Sequence, residues 1–194
     1  GGGALLNQCP HQLDLFQWFF GMPAKVRAFC HLGKYHDIEV EDEVTAYMEF
    51  ADGPTAVFIT STAEYPGTNR LEVTCDRGRL VLEDGILTFK RTEQNVSEII
   101  AKSPDTFPVL SSWDVNIPVP SNDISATEVL TVFADAILND KEPLVTGLEA
   151  MNELELGNAM LLSSLLKKEV ELPLDAAEYE RELMKLVAVS RYQK

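Results

Sequence analysis

An α+β domain, with helices packed on one face of an open, mostly antiparallel sheet, is the fold this sequence predicts. Three observations carry it. A helical pattern opens the chain, short alternating runs parted by turn dipeptides fill its middle, and long helical patterns close it. Strands segregated from helices in this way point to α+β and not to a wound α/β architecture. The 194 residues suit one domain. No internal repeat, low-complexity tract or domain-splitting linker divides them, so residues 1–194 are read as a single domain.

Each element follows from its own pattern. From Leu5 to Phe20, the residues Leu5, Leu6, Cys9, Leu13, Phe16 and Phe20 recur at three- and four-residue steps. That is one buried helix face, with Gly21 to end it and Pro23 beyond. Lys25–Leu32 alternates as a strand. Val44–Phe50 and Thr55–Thr62 flank Asp52-Gly53, a hairpin signal. Arg70–Cys75, Arg79–Glu83 and Ile86–Arg91 continue as an antiparallel meander. A short helix is expected near Val96–Ala101, and an edge strand over Trp113–Val119, bounded by Pro118 and Pro120. Ser125–Leu138 carries Val129, Val132, Phe133, Ala136 and Ile137 on one face. Thr146 is placed to cap a helix running through Leu166, with Leu148, Met151, Leu154, Leu156, Met160, Leu161 and Leu165 inward. Asp175 is placed to cap a last helix that frays into the polar tail.

Charge excludes whole classes of partner. Lys plus Arg number 16 against 31 Asp plus Glu, a formal charge of −15. So acidic a surface repels phosphate backbones and anionic lipid alike, so neither nucleic acid nor membrane is expected. No apolar run is long enough to span a bilayer, and no basic stretch followed by an apolar core marks a signal peptide. Cys9, Cys30 and Cys75 lack paired spacing and read as reduced thiols of a cytoplasmic protein.

Four groups of residues invite a chemical reading. Asn7 and His11 are four apart, one turn from each other on a continuous helix, with Asp14 three further on. Histidine moves protons near neutral pH, and a carboxamide one turn away holds a hydroxyl or fixes the ring. The same spacing fits a plain helix start, with Asn7 as cap and His11 satisfied by Asp14, and spacing alone favours that. The acidic run Asp37, Glu39, Glu41, Asp42 and Glu43 lacks the spacing of a cation loop, so it reads as a solvated approach to a strand. Cys9, His11, Cys30, His31 and His36 match no structural-zinc pattern, and no metal is expected. Tyr65-Pro66-Gly67-Thr68-Asn69-Arg70 is either a turn or the lining of a polyol pocket. No Gly-rich dinucleotide fingerprint, phosphate loop or nucleophile elbow is present.

The stretch GGGALLNQCPHQLDLFQW over Gly1–Trp18 closely resembles the opening of the C-terminal domain of the Gfo/Idh/MocA family of NAD(P)-dependent oxidoreductases. The likeness continues through VEDEVTAYMEFADGPTAVFITST, NRLEVTCDRGRLVLEDG and FADAILNDKEPLVTGLEAMNELELGNAMLLSSLLKKEVELPL. The first stretch is the specific one; the others mostly report fold. The resemblance implies a preceding Rossmann domain that binds NAD or NADP and supplies a Lys, both absent from this chain. Gly1 then reads as an internal residue of a longer enzyme. It further implies a substrate-binding domain for a sugar, sugar derivative or cyclitol, and a homo-oligomer formed through the sheet. His11 falls on the family's catalytic His, and Asn7 on a position often occupied by Asp. That departure removes a charge, since Asn cannot raise the basicity of His11 as a carboxylate would, though it still orients a hydroxyl. Tyr65, Thr68 and Asn69 lie where family members often touch substrate, and Asp14 fits the motif in a structural role. The fragment alone is expected to be inactive. A non-catalytic sugar-binding or regulatory relative that keeps the fold is the alternative, and Asn7 is the residue that favours it.

Overall fold

The opening helix is two pieces. In the computed structural model, which describes residues 2–119 and 125–192, a π-helical turn spans Ala4–Gln8 and an α-helix, α1, spans Pro10–Phe20. The Cys9 amide donates to the Ala4 carbonyl at 2.9 Å, a five-residue step that shifts the register between the two. Pro10 at the first position of α1 needs no donor there. Gly21, at φ 75°, ends α1 where the sequence places the stop. The opening residue Gly1 and the expected strand boundary at Pro120 lie outside the described residues, as does the end of the polar tail.

The chain divides into two compact units, Gly1–Glu64 with Leu130–Lys194, and Tyr65–Val129. In the first, β1 (Lys25–Leu32), β2 (Glu41–Glu49), β3 (Thr55–Ser61) and β4 (Val170–Glu171) form a four-stranded antiparallel sheet in the order β3-β2-β1-β4. Register sets one face: Val26 pairs Met48, Ala28 pairs Ala46, and Cys30 pairs Val44, while Ala46 pairs Phe58. The long helix α2 (Gly147–Leu166) packs on that face with α1, burying Leu5, Leu13, Leu156, Ala159 and Met160 against it. A Cβ on Gly157 would meet Leu6, Leu13 and Leu5 at 3.3–3.7 Å, so α2 runs close against the π-helical turn. Thr146 caps it as expected, and does so in a capping box with Glu149. A last helix, α3 (Ala176–Val189), is capped by Asp175.

On the edge of β1 away from β2, the two-residue pairing with β4 is the strand pairing present among the described residues, and hydroxyls complete that edge. Ser163 Oγ accepts from Ala28 N at 2.9 Å and Ser164 Oγ from Cys30 N at 2.8 Å, so α2 supplies the acceptors a strand would.

In the second unit, β5 (Arg70–Cys75), β6 (Gly78–Glu83), β7 (Ile86–Thr92) and β8 (Ser112–Ile117) form an antiparallel sheet in chain order, joined by a short helix at Val96–Lys102. The Ser112–Ile117 strand lies at the edge, as its flanking prolines predict.

The α+β class holds, with every pairing antiparallel among the described residues and the strands gathered into two sheets. Two expectations of burial do not hold. Along Ala126–Leu138 only Ala136 is buried, while Val129, Val132, Phe133 and Ile137 are exposed. Leu148, Met151 and Leu154 in the first half of α2 are likewise open, because the sheet meets only its second half. Periodicity identifies an apolar face without saying what covers it.

Candidate active site

Asn7 and His11 stand on successive turns, Asn7 in the π-helical turn and His11 in the first turn of α1, and both are exposed. Asn7 and His11 therefore do not share one continuous α-helix as their spacing suggests, since a register shift at Cys9 separates them. Asn7 Oδ1 accepts from Gln8 Nε2 at 3.3 Å. Among the described residues His11 makes no hydrogen bond, and Asp14, its expected partner, instead accepts from Gln17 Nε2 at 2.9 Å. The imidazole is open for a ligand.

The backbone beneath these two side chains is held from below. Leu5 and Leu13 are buried in the core, and Cys9 Sγ meets Thr60 Oγ1 on β3 at 3.1 Å. Glu41, at the start of β2, accepts the Leu5 amide at 3.0 Å. A carboxylate at the amide end of a helical turn satisfies a free donor and suits its partial positive charge. Gly3 makes room for it: a Cβ there would lie 2.2 Å from Glu41 Cδ and 2.4 Å from its carbonyl oxygen. Gly3 of the opening motif thus has a packing reason.

This corrects the reading of the acidic run as solvated. Asp37 and Glu43 carry surface ion pairs with Arg191 and Lys34, but Glu41 and Asp42 are buried. Asp42 accepts the amides of Lys34, Tyr35 and His36 at 3.0, 2.8 and 3.1 Å. Burial alone would raise its carboxyl, yet those donors outweigh it and hold the group down at about 2. Alternation could have found Asp42, which shares the inward face of β2 with Val44, Ala46 and Met48, but not Glu41.

Cys9 and Cys30 offer no nucleophile. Burial pushes the Cys9 thiol up and takes Cys30 up to about 12. No group of three or more His, Cys, Asp or Glu among the described residues is arranged to hold a metal. Tyr65, Thr68 and Asn69 are exposed residues of the second unit. An open groove of about 410 Å³ in the first unit is lined by His36, Asp37, Glu39, Val189, Ser190 and Arg191, with neither Asn7 nor His11 on its walls. No helix among the described residues is long and apolar enough to cross a membrane.

Residues 1–81 match the GFO/IDH/MocA C-terminal domain, so the resemblance read from the opening motif holds over the segment that carries Asn7 and His11. No curated protein matches the chain. Among solved structures, it is similar to the WlbA dehydrogenase of Bordetella pertussis in complex with NADH and UDP-GlcNAcA, at 21% identity and TM-score 0.66, covering 90% of this chain and 47% of that one. It is also similar to the aldose-aldose oxidoreductase of Caulobacter crescentus complexed with glycerol, at 18% identity and TM-score 0.64, covering 88% and 48%. Levoglucosan dehydrogenase in complex with NADH matches at 17% identity and TM-score 0.65, covering 90% and 51%. The chain spans about half the length of these structures and shares their fold.

Proposed function

We propose that residues 1–194, of which residues 1–81 match the GFO/IDH/MocA C-terminal domain, act as the substrate-binding and catalytic domain of an NAD(P)-dependent oxidoreductase acting on a sugar, sugar derivative or cyclitol. The observation that carries this reading is the open imidazole of His11, fixed on a buried turn beside the exposed Asn7 carboxamide. The described residues offer no glycine-rich cradle for a dinucleotide's phosphates, so this chain does not fit the cofactor by itself. When bound by the rest of a longer protein, the nicotinamide would take the substrate's hydride. The residues here handle the hydroxyl: Asn7 holds it in place, and a ring nitrogen of His11 takes its proton. Such acid/base work contributes about 10²–10⁴-fold. Tyr65, Thr68 and Asn69 are proposed to contact substrate hydroxyls.

The outer face of the first sheet supports a homo-oligomer. Phe29, Tyr47, Val57 and Ile59 stand exposed together on it, opposite the face that α2 covers, and open apolar patches of this kind mark assembly surfaces. The acidic surface and free thiols support a cytoplasmic location.

A non-catalytic sugar-binding relative remains the second reading, favoured by the uncharged Asn7. Fluorescence titration with NADH and NADPH tests both, run on this chain and on the longest reading frame containing it. Binding by the longer protein alone, with turnover falling about 10²–10⁴-fold in His11→Ala, supports the oxidoreductase. Turnover intact in that variant removes His11 from the chemistry. No binding by either protein favours the second reading.

A further inference from the structure

The two sheets have four edges among the described residues, and three of them are poorly suited to another strand. At one side of the first sheet, β4 is two residues long and the Ser163 and Ser164 hydroxyls take amides of β1. In the second sheet, β5 carries Arg70 and Glu72, and β8 carries Asp114 with Pro118 directly after it. Charges and prolines on an edge discourage pairing. The fourth edge, β3, has neither. Its sequence TAVFITS, over Thr55–Ser61, is free of charge, proline and glycine, and among the described residues no strand pairs it on the side away from β2.

Register fixes which groups of β3 are free. The Phe50 amide donates to the Pro54 carbonyl and the Thr62 amide to the Asp42 carbonyl, each at 3.0 Å, and the pairing between them is continuous, with Ala46 opposite Phe58. Bonded and unbonded pairs alternate in an antiparallel ladder, so Ala56, Phe58 and Thr60 bond β2. Thr55, Val57, Ile59 and Ser61 turn their N–H and C=O groups to the open side, and the Val57 and Ile59 side chains stand exposed on the outer face. The strand is also symmetric about Phe58. Val57 matches Ile59 as a β-branched apolar residue, Ala56 matches Thr60 as a compact one, and Thr55 matches Ser61 as a hydroxyl.

We propose that β3 pairs with β3 of a second copy of this chain, antiparallel about a two-fold axis at Phe58, joining the first-unit sheets of both copies into one. That axis sets each outward-turned residue opposite another: Val57 meets the partner's Ile59, and Thr55 the partner's Ser61. The free N–H groups of both strands then find carbonyls. Phe58 meets the partner's Phe58 as an unbonded pair, the closer kind, on the face that packs on the core. Aromatic, β-branched and hydroxyl pairs across strands are each favourable, and a two-fold contact requires such self-complementarity. The edge is separate from the outer face assigned to assembly above and from the chemistry at His11. Seven residues from each chain make a small interface, so the dimer should form and part with concentration.

Sedimentation and amide hydrogen exchange of this chain, the latter by NMR, test the pairing over a range of concentrations. The mass is expected to rise from 21.6 kDa toward twice that. Exchange of the Val57 and Ile59 amides should slow about tenfold once about nine chains in ten are paired, while Ala56 and Thr60, bonded within the chain, stay protected throughout. Val57→Pro removes an outward N–H without touching the β2 ladder and should leave the chain monomeric. Ile59→Lys, which puts a charge on the edge, repeats the test should the proline variant fold poorly. Tyr47→Ser, on the same outer face one strand inward, should keep the dimer. A chain that stays monomeric at millimolar concentration overturns the proposal, as does a dimer in which Val57 and Ile59 exchange freely. A dimer lost in Tyr47→Ser and kept in Val57→Pro also overturns it, and leaves assembly to the outer face.

Discussion

The two units are built on the same kind of sheet and held in different ways. In the first, Leu5, Leu13, Val26, Val44, Met48, Leu156 and Met160 are fully buried between sheet and helices. In the second, Gly78 is the one buried residue among those described, and Leu71, Val73, Leu80, Val81, Leu87 and Phe89 are only half-covered. Side-chain packing fixes the first unit, whereas strand pairing with only half-covered side chains holds the second. The candidate acid/base residue stands on the tightly packed unit and the candidate hydroxyl contacts on the lighter one. Proton transfer needs sub-ångström placement, while a contact loop tolerates adjustment.

The largest effect should come from cutting into that difference directly. Leu156→Ala opens a cavity among residues that cannot close on it and is expected to cost about 2–5 kcal/mol. Leu80→Ala removes a half-covered side chain and should cost about 1 kcal/mol. Urea midpoints of the two variants make the comparison, and equal losses would break it. Next in size is Gly3→Ala, where the new Cβ meets the Glu41 carboxyl and carbonyl well inside contact distance. Overpacking of this kind costs about 1–3 kcal/mol. It should also disturb the turn carrying Asn7, so the NMR signals of Asn7 and His11 are expected to shift together.

Asp42 sharpens the same contrast through pH. Its carboxyl is lowered from 3.8 to about 2 in the folded chain. A group depressed on folding stabilises above its unfolded value and loses that contribution as pH falls through its folded one. The Lys34–His36 loop of the first unit should therefore weaken between about pH 4 and pH 2. In Asp42→Asn that acid-dependent loss should vanish, and stability should be lower at neutral pH. Urea unfolding at several pH values checks both, and an unchanged acid limb would remove Asp42 as its cause.

Much of this could be read from the residues. The Asp52-Gly53 hairpin, the Gly21 stop and the Thr146 and Asp175 caps each rest on local backbone chemistry, and the structure has them at those positions. What escaped depends on partners distant in sequence. The break at Cys9 follows from Glu41 and Thr60, which lie 36 and 51 residues away from the groups they hold. Ser163 and Ser164 replace a missing strand, which no periodicity announces. The same holds at the site: the spacing of Asn7 and His11 was visible, whereas the hydrogen bonds from Asn152 to Gln17 and from Gln17 to Asp14 form only through the packing of two helices. Composition misled where charge was concentrated, since two of five neighbouring carboxylates turned inward to bind backbone amides.

The smallest effect is expected where charge is most conspicuous. On the sheet of the second unit, Arg70 bonds Glu72 and Glu83, and Arg79 reaches Glu72 at 3.3 Å. All four side chains remain at least one-third exposed, so water and salt screen their attraction, and holding long side chains in one geometry costs entropy. Glu72→Gln should leave the urea midpoint nearly unchanged, and the small difference that remains should shrink further in molar salt. Should Glu72→Gln instead destabilise as much as Leu156→Ala, the second unit would be held by its charges with the strength of a packed core. The contrast between the two units would then be one of means and not of strength, and the contact loop at Tyr65 would stand on ground as firm as that beneath His11.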